Sequence, residues 1–345
     1  MANNWEEIEQ EIQSGMDAAA AYAKPHYSVP DRTREPKVLI EDTKLDHEGW
    51  LRARMSKITS TESPALIDPI QPDYEGENTK WASCRGIYEK LANGRKTAFK
   101  ETQNTKWGNR LEPAIAAGIA EDHGFEIRPF NAFLEHGAIP IMASSFDFEA
   151  MPSWWPEPIP FEIKKVSGIE FKRDGWDWET IEGHRILTRI PAKYYIQVQH
   201  QLAVCNRSGA LFGVLVDGQM SYIRWLHRDF RLIEEIEQAC VQMANSVALN
   251  DPPEFNFARD GELIQLIWPE HKPEVRVNPH HIAHLDELGD KQTRLAERIS
   301  ELKKEKEEID NEIKSIMAEA PEAKTARFKF HYKKSKDTPP TEITP

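Results

Sequence analysis

The segment IPFEIKKV, at residues 159–166, places the strongest constraint on the fold. It predicts a β-strand in which Glu162 and Lys164 share one face while Phe161 and Ile163 share the other, because side chains alternate along a strand. If the strand lies at a sheet edge, the charged residues form a solvated surface pair. If it lies inside the sheet, they form a polar face at the centre of the fold. The strand alone leaves both arrangements open.

Residues from about 41 to 260 predict one compact α/β domain. Apolar periodicity and capping residues predict helices at 47–56, 80–92, 108–124, 192–206 and 228–249, with a further helix N-terminus in the hydroxyl-rich TSTES. Strands are expected at about 125–130, 139–147 and 159–166. Asp217-Gly218, between two apolar runs, predicts the turn of a β-hairpin.

The two ends of the chain are interpreted as appendages. Residues 1–40 read as an N-terminal extension and linker, 261–284 as a second linker, and 320–345 as a basic tail with one short strand. Between them, 285–319 predicts a coiled coil, because apolar residues recur every seven positions. This seam consists of Leu288, Leu295, Leu302, Ile309 and Ile316, preceded by Leu285, Gln292, Ile299, Lys306 and Ile313. Self-association and folding back onto the α/β domain both remain open.

Composition excludes several classes of protein. The three cysteines lie far apart, which argues against a disulfide framework, a zinc site or an iron–sulfur cluster. No run of 18 apolar residues occurs and the start is acidic, so we expect a cytoplasmic protein with no membrane partner. The net charge of -13 argues against nucleic acid, yet residues 80–110 carry eight basic residues against two acidic ones. That stretch is either a solvated helix face or a phosphate-binding surface.

Asp147, followed fifteen residues later by Glu162-x-Lys164, resembles the active site of PD-(D/E)XK nucleases. The resemblance implies a restriction-endonuclease-like core, with a central mixed sheet flanked by helices. It also implies that the two carboxylates hold Mg²⁺, or Mn²⁺ in its place, while the lysine orients or deprotonates the attacking water. Hard oxygen ligands suit Mg²⁺, and the backbone carbonyl of Ile163 is a candidate third ligand.

Three further motifs narrow the resemblance. They are WLRARMSKITSTE at 50–62, Trp107-Gly108-x-x-x-Glu112, and Tyr194-x-x-Gln197-x-Gln199. With the carboxylates and the lysine, they resemble the lambda exonuclease and YqaJ-like viral recombinase family over about residues 45–255. The family pattern places Glu112 at the metal and Gln197 beside the lysine. It assigns binding of the DNA 5′-phosphate to Arg54, Thr61 and Ser145. In that context the basic stretch is expected to track DNA through Arg85, Arg95, Lys96 and Arg110.

The chain departs from the family at the Asp147 loop. Ser145-Phe146-Asp147-Phe148 replaces the usual Ser-Pro-Asp-Gly, and the link to the Glu162 strand, FEAMPSWWPEPIP, is longer than usual. Its two tryptophans, Trp154 and Trp155, either stack on DNA ends or pack against the core. The resemblance therefore does not set the geometry of this loop.

The resemblance implies an exonuclease that degrades one strand of duplex DNA from its 5′ end and leaves 3′ overhangs for recombination. It also implies a ring-like homo-oligomer, often a trimer, a single-strand annealing protein as partner, and a phage or prophage origin in a bacterial host. Two alternatives remain. One is an endonuclease of the same fold, and the other is a non-catalytic scaffold that binds DNA ends.

Overall fold

A computed structural model describes residues 35–67, 82–97, 101–153, 155–270, 272 and 275–331. The described residues up to Pro269 form one compact unit, and those from Glu270 onward form a second. Most of the predicted N-terminal extension, Lys80, Lys100, Trp154 and the end of the basic tail lie outside the described residues.

The first unit alternates strands and helices. In chain order its elements are β1 (Lys37–Ile40), α1 (His47–Met55), β2 (Ile58–Thr59), α2 (Ser63–Ile67), α3 (Cys84–Asn93), α4 (Gln103–His123), β3 (Glu126–Pro129), β4 (Phe133–Glu135), β5 (Met142–Ser145), β6 (Phe148–Met151), β7 (Ile159–Val166), α5 (Gly168–Arg173), β8 (Asp177–Ile181), β9 (His184–Arg189), α6 (Ala192–Cys205), β10 (Gly209–Val216), β11 (Met220–His227), α7 (Phe230–Leu249) and α8 (Gly261–Ile267).

The strands of the first unit form two sheets. The larger is mixed, in the order β3-β6-β7-β10-β11-β9-β8, with β7 and β10 parallel and β10 and β11 joined as the predicted hairpin. Asp217 and Gly218 have φ values of 51° and 71°, as a tight hairpin turn requires. The smaller sheet runs β1-β4-β5-β2. The chain crosses from the smaller to the larger sheet between β5 and β6, which is where Asp147 lies.

The large sheet has a hydrophobic core on each face. Phe161 and Ile163 of β7 pack with Ile115 and Ile119 of α4 in one core. The other core contains Phe212 of β10 together with apolar residues of α6 and α7. The predicted α/β fold, with a central mixed sheet flanked by helices, is confirmed. Pairing with β6 and β10 makes β7 an interior strand.

The second unit contains α9 (Ile282–Met317), followed by the antiparallel pair β12 (Glu322–Lys324) and β13 (Lys329–His331). The long helix and the short terminal strand are confirmed. Two segments assigned to linkers have regular structure: β1 pairs with β4, and α8 buries Leu263. Neither element was predicted, because each is too short to show a clear apolar repeat. Among the described helices, none has the length and apolar character needed to cross a bilayer.

Candidate active site

Glu162 and Lys164 lie on an interior strand, so the edge-strand alternative is wrong. β7 pairs with β6 on one side and β10 on the other, and Glu162 is only 4% exposed. A buried carboxylate is costly unless hydrogen bonds or charges compensate it. The groups that contact Glu162 therefore indicate the role of the polar face of this strand.

Two glutamines of α6 and one lysine satisfy the Glu162 carboxylate. Gln197 Nε2 donates to Oε1 at 2.7 Å, and Gln201 Nε2 donates to Oε2 at 2.6 Å. Lys164 also donates to Oε1. Gln197 was predicted, whereas Gln201 was missed. The signal was its i+4 spacing from Gln197, which places both amides on one helix face.

Asp147 is positioned by the phenylalanines on either side of it. Phe146 packs into one core, where its ring stacks on Phe130 at 4.8 Å, and Phe148 packs into the other. The bend between them points the Asp147 carboxylate at β7, where Oδ2 accepts from the backbone N–H of Ile163 at 3.3 Å. Two buried phenylalanines therefore fix this loop, at the positions where the resembled family usually has proline and glycine.

Glu112 comes from α4 and lies within hydrogen-bonding reach of Asp147. Burial, followed by the charges of Glu162 and Glu112, raises the pKa of Asp147 well above its usual value. Burial and the charge of Glu162 also raise the pKa of Glu112, although Lys164 acts against the increase. When all three carboxyl groups are ionised, their negative charge exceeds the single positive charge of Lys164, which is why the pKa values of Asp147 and Glu112 are raised.

The charges near Lys164 act against the effect of its burial. Burial alone would lower the pKa of Lys164, but the charges of Glu162 and Asp147 raise it above its ordinary value. The ammonium also lies 5.7 Å from the ring centroid of Tyr194. In this arrangement the Lys164 ammonium donates a hydrogen bond to Glu162.

The donor set fits a hard divalent cation. Among the described residues, no three His, Cys, Asp or Glu side chains form a ready-made ligand group. The Glu162 carboxylate accepts hydrogen bonds from Gln197, Gln201 and Lys164. The chemistry nevertheless matches Mg²⁺, which prefers carboxylate oxygens. In addition, Gln201 Oε1 is buried and accepts no hydrogen bond from the described residues. The excess negative charge and this oxygen are both suited to a cation.

We expect Asp147→Asn to stabilise the metal-free protein. Because the folded-state pKa of Asp147 is raised, ionising this carboxyl costs folding free energy at every pH above its unfolded value near ~3.9. The gain is complete above the folded pKa and shrinks as the pH falls below it. In EDTA the melting temperature should rise by a few degrees at pH 8, since about 1 kcal/mol corresponds to ~2–4 °C, and by less at pH 5. A variant that melts below the parent at pH 8 would contradict the charge assignment.

We expect Gln201→Ala to weaken metal-dependent activity. Removing the amide deletes the hydrogen bond to Glu162 Oε2, and loss of such a supporting hydrogen bond costs roughly 10–100-fold in metal affinity. The measurement is the Mg²⁺ concentration for half-maximal DNA hydrolysis. Gln238→Ala removes an exposed glutamine from α7 and is the matched control. An unchanged Mg²⁺ dependence would show that Gln201 has no role in positioning Glu162.

Two of the three predicted phosphate-binding residues meet at Trp50. Its indole Nε1 donates to Ser145 Oγ at 2.8 Å, and the Arg54 guanidinium lies 4.6 Å from its ring centroid. Ser145 is two residues from Asp147, so the group adjoins the carboxylates. Thr61 is exposed, and its hydroxyl lies 3.2 Å from that of Thr59 at the end of β2. Trp50 therefore contacts both Arg54 and Ser145, while Thr61 contacts Thr59.

A buried ion pair between Lys90 and Glu62 lies near Arg54. Lys90 donates to Glu62 at 2.6 Å, and Glu62 also accepts from the backbone and the hydroxyl of Thr59. Burial would raise the pKa of Glu62, but Lys90 and these hydrogen bonds lower it. Glu62 is the carboxylate whose charge acts on Arg54. Glu62 thus pairs with Lys90 while its charge also acts on Arg54.

The basic stretch is not a uniform surface. Lys90 is 3% exposed and belongs to the ion pair with Glu62. Arg85 donates to Glu89 and to the carbonyl of Pro253, both at 3.0 Å, and Arg95 pairs with the same Glu89 at 3.2 Å. Lys96 and Arg110 are exposed, and Arg110 lies over Trp107. DNA tracking remains a prediction, and Lys96 and Arg110 are the residues best placed for it.

Two other candidate residues have structural partners. Trp155 is 6% exposed, donates to Ser208 Oγ at 3.0 Å, and stacks on His227. Trp155 therefore packs against the core, which is one of its two predicted roles, and does not lie exposed for stacking on DNA. Gln199 bonds the His227 carbonyl and the Asp229 N–H, which ties α6 to the start of α7.

Comparison with known proteins agrees with the motifs. Residues 49–208 match the model of the YqaJ-like viral recombinase domain. The chain is similar to the protein YqaJ of Bacillus subtilis (strain 168), with 23% identity over 292 residues, covering 84% of this chain and 83% of that protein. It is also similar to two solved structures. One is the alkaline exonuclease LHK-Exo from Laribacter hongkongensis, at 18% identity and a TM-score of 0.44, covering 59% of this chain and 94% of that one. The other is a phage-related exonuclease from Haemophilus somnus 129PT, at 14% identity and a TM-score of 0.39, covering 56% and 94%.

Proposed function

Because residues 49–208 match the model of the YqaJ-like viral recombinase domain, we propose that the chain is a Mg²⁺-dependent exonuclease of that family. It degrades one strand of duplex DNA in the 5′-to-3′ direction and leaves a 3′ single-stranded overhang. Such a product suits recombination by strand annealing, with a single-strand annealing protein as partner. The setting that fits this role is the cytoplasm of a bacterial host of a phage or prophage.

The observation that supports the proposal is the mutual effect of the charges of Asp147, Glu162, Glu112 and Lys164. The three carboxyl groups come from different parts of the chain: the β5–β6 bend, β7 and α4. A protein has little structural reason to bury excess negative charge, so such clusters indicate a functional site. Phosphodiester hydrolysis uses this combination of hard ligands and one cationic donor.

The residues divide the chemistry among themselves. Asp147, Glu162 and Glu112 would hold the cation, with the Ile163 carbonyl as a further ligand. The cation supplies charge neutralisation on the phosphate oxygens and activates the attacking water. Lys164, protonated, orients that water and offsets the charge that develops on the phosphate. Gln197 and Gln201 keep the Glu162 carboxylate in its working orientation.

End recognition is assigned to the group around Trp50. A terminal phosphate carries more charge and more acceptor oxygens than an internal diester, and a guanidinium with two hydroxyls can bind it. Arg54 supplies the charge, while Thr61 and Ser145 supply the hydroxyls. Because Ser145 ends the strand that leads to Asp147, a phosphate held there lies next to the carboxylates.

A comparison of linear and covalently closed duplex DNA tests the proposal. With Mg²⁺ we expect the linear form to be degraded and the closed circle to persist, and with EDTA we expect both to persist. Cleavage of the closed circle would favour an endonuclease of the same fold. Binding of linear DNA without degradation would favour a non-catalytic scaffold.

A further inference from the structure

The long helix of the second unit carries an apolar seam that faces solvent. Seven of its seam residues are 45–78% exposed: Leu285, Leu288, Leu295, Ile299, Leu302, Ile309 and Ile316. The helix α9 has 36 residues, and the seam runs along it from Leu285 to Ile316, which is about 47 Å at ~1.5 Å per residue. In the heptad, Leu285 occupies position a and Leu288 position d, so the helix carries five successive pairs of a and d positions.

The charges that flank the seam are divided between the two halves of the helix. The g positions are Lys291 and Arg298 in the N-terminal half, and Glu305 and Glu312 in the C-terminal half. The e positions that carry charge are Lys303 and Asp310. These flanking residues decide which partner and which orientation a coiled-coil helix accepts.

A parallel pair of these helices would repel itself. In a parallel pair each g residue meets the e residue five positions later in the other copy. Arg298 would meet Lys303, and Glu305 would meet Asp310, so both contacts join like charges on each side of the seam. The two copies of Lys306, at an a position, would also face each other inside the seam.

An antiparallel pair makes the same charges complementary. In this orientation g residues meet g residues, so Lys291 meets Glu312 and Arg298 meets Glu305, and each contact occurs twice by symmetry. The a and d layers stay in register over the full length, with Ile299 opposite Leu302. Lys306 lies opposite Leu295 of the other copy, and its ammonium already pairs with Asp310 on the exposed side of the helix.

We propose that α9 is a self-association element, through which two copies of this chain pair as an antiparallel coiled coil. The occupant of the exposed seam is a second α9. The division of charge between the two halves of the helix fits this partner, because it makes the surface complementary to itself only when one copy is reversed. The pairing is independent of the chemistry proposed for the first unit.

Two full-length charge variants test the pairing by sedimentation velocity. Glu305→Lys with Glu312→Lys makes the g positions basic throughout, and Lys291→Glu with Arg298→Glu makes them acidic throughout. We expect each variant alone to sediment at about half the wild-type mass. An equimolar mixture should recover the wild-type mass, because every g–g contact becomes complementary between the two variants.

The control is Glu301→Lys with Glu308→Lys. These positions lie away from the seam and make the same change in net charge as the basic variant. We expect this protein to sediment like the wild type. A parallel pair predicts the opposite of the main result, since the Glu305→Lys change would then place an ammonium opposite Asp310 and turn repulsion into attraction. The proposal is therefore overturned if the basic variant associates as well as the wild type or better. It is equally overturned if all the proteins sediment alike, as they would if α9 folded back on its own chain.

Discussion

Replacement of Lys164 by alanine is expected to lower Mg²⁺-dependent DNA hydrolysis by at least ~10²-fold while the protein stays folded. The ammonium acts on charge that develops in the transition state, and loss of one such donor in a water-poor site costs roughly 10²–10³-fold. The expected effect is large because Lys164 hydrogen-bonds Glu162 and its charge acts on both Asp147 and Glu112. Asp147→Ala should have a similar effect by removing a metal ligand.

The next lysine along the strand is the matched control. Lys165 follows Lys164, but its side chain points to the other face of β7 and reaches Asn104 at 3.4 Å. Lys165→Ala should therefore retain hydrolysis close to that of the parent protein. The measurement is the single-turnover rate on a short 5′-phosphorylated duplex at saturating Mg²⁺, with a melting curve for each variant. Parent-like hydrolysis by folded Lys164→Ala would remove this lysine from the mechanism.

Replacement of Arg54 by alanine is expected to abolish a preference for 5′-phosphorylated ends. Hydrogen bonds to charged groups are worth about 1.5–3 kcal/mol, which corresponds to roughly 10–100-fold in rate at low DNA concentration. The parent protein should digest a 5′-phosphate duplex faster than a 5′-hydroxyl duplex by about that factor. In Arg54→Ala the two rates should converge, because only the phosphorylated substrate uses the guanidinium.

Arg52→Ala separates this pocket from general attraction to DNA. Arg52 lies on the same helix with its side chain 77% exposed, so its removal changes the net charge equally without touching Trp50. We expect Arg52→Ala to keep the ratio of the two rates. Equal rates on both substrates in the parent protein would show that Arg54 does not read the terminal phosphate.

Local sequence patterns predicted the elements that carry the site. The alternation in β7 and the helical spacing of α6 are strong because each element is long and packs an apolar face. The hairpin at Asp217-Gly218 was equally predictable, because Asp-Gly favours the positive φ values that this turn needs and that both residues adopt. These features depend mainly on neighbours in the sequence.

The remaining features depend on distant contacts. The periodicity did not predict β6, since its four residues follow an aspartate and precede a proline, and it is a strand through pairing with β3 and β7. The exposed hairpin of β8 and β9 shows little alternation to detect. Likewise, Lys90 in a basic stretch looks like a DNA contact until folding brings it to Glu62. Gln201 was within reach of sequence reasoning, because Gln197 already marked that face of α6.

The most direct test of the proposed function uses two linear duplex substrates, which differ only in which end of one strand carries the label. One substrate carries the label at the 5′-phosphorylated end and the other carries it at the 3′ end, and both are digested with Mg²⁺ under single-turnover conditions. The proposed function predicts that the 5′ label is released as mononucleotide from the first time points, that the 3′ label remains in long fragments, and that EDTA stops both. Early release of the 3′ label, or release of either label in EDTA, would contradict it.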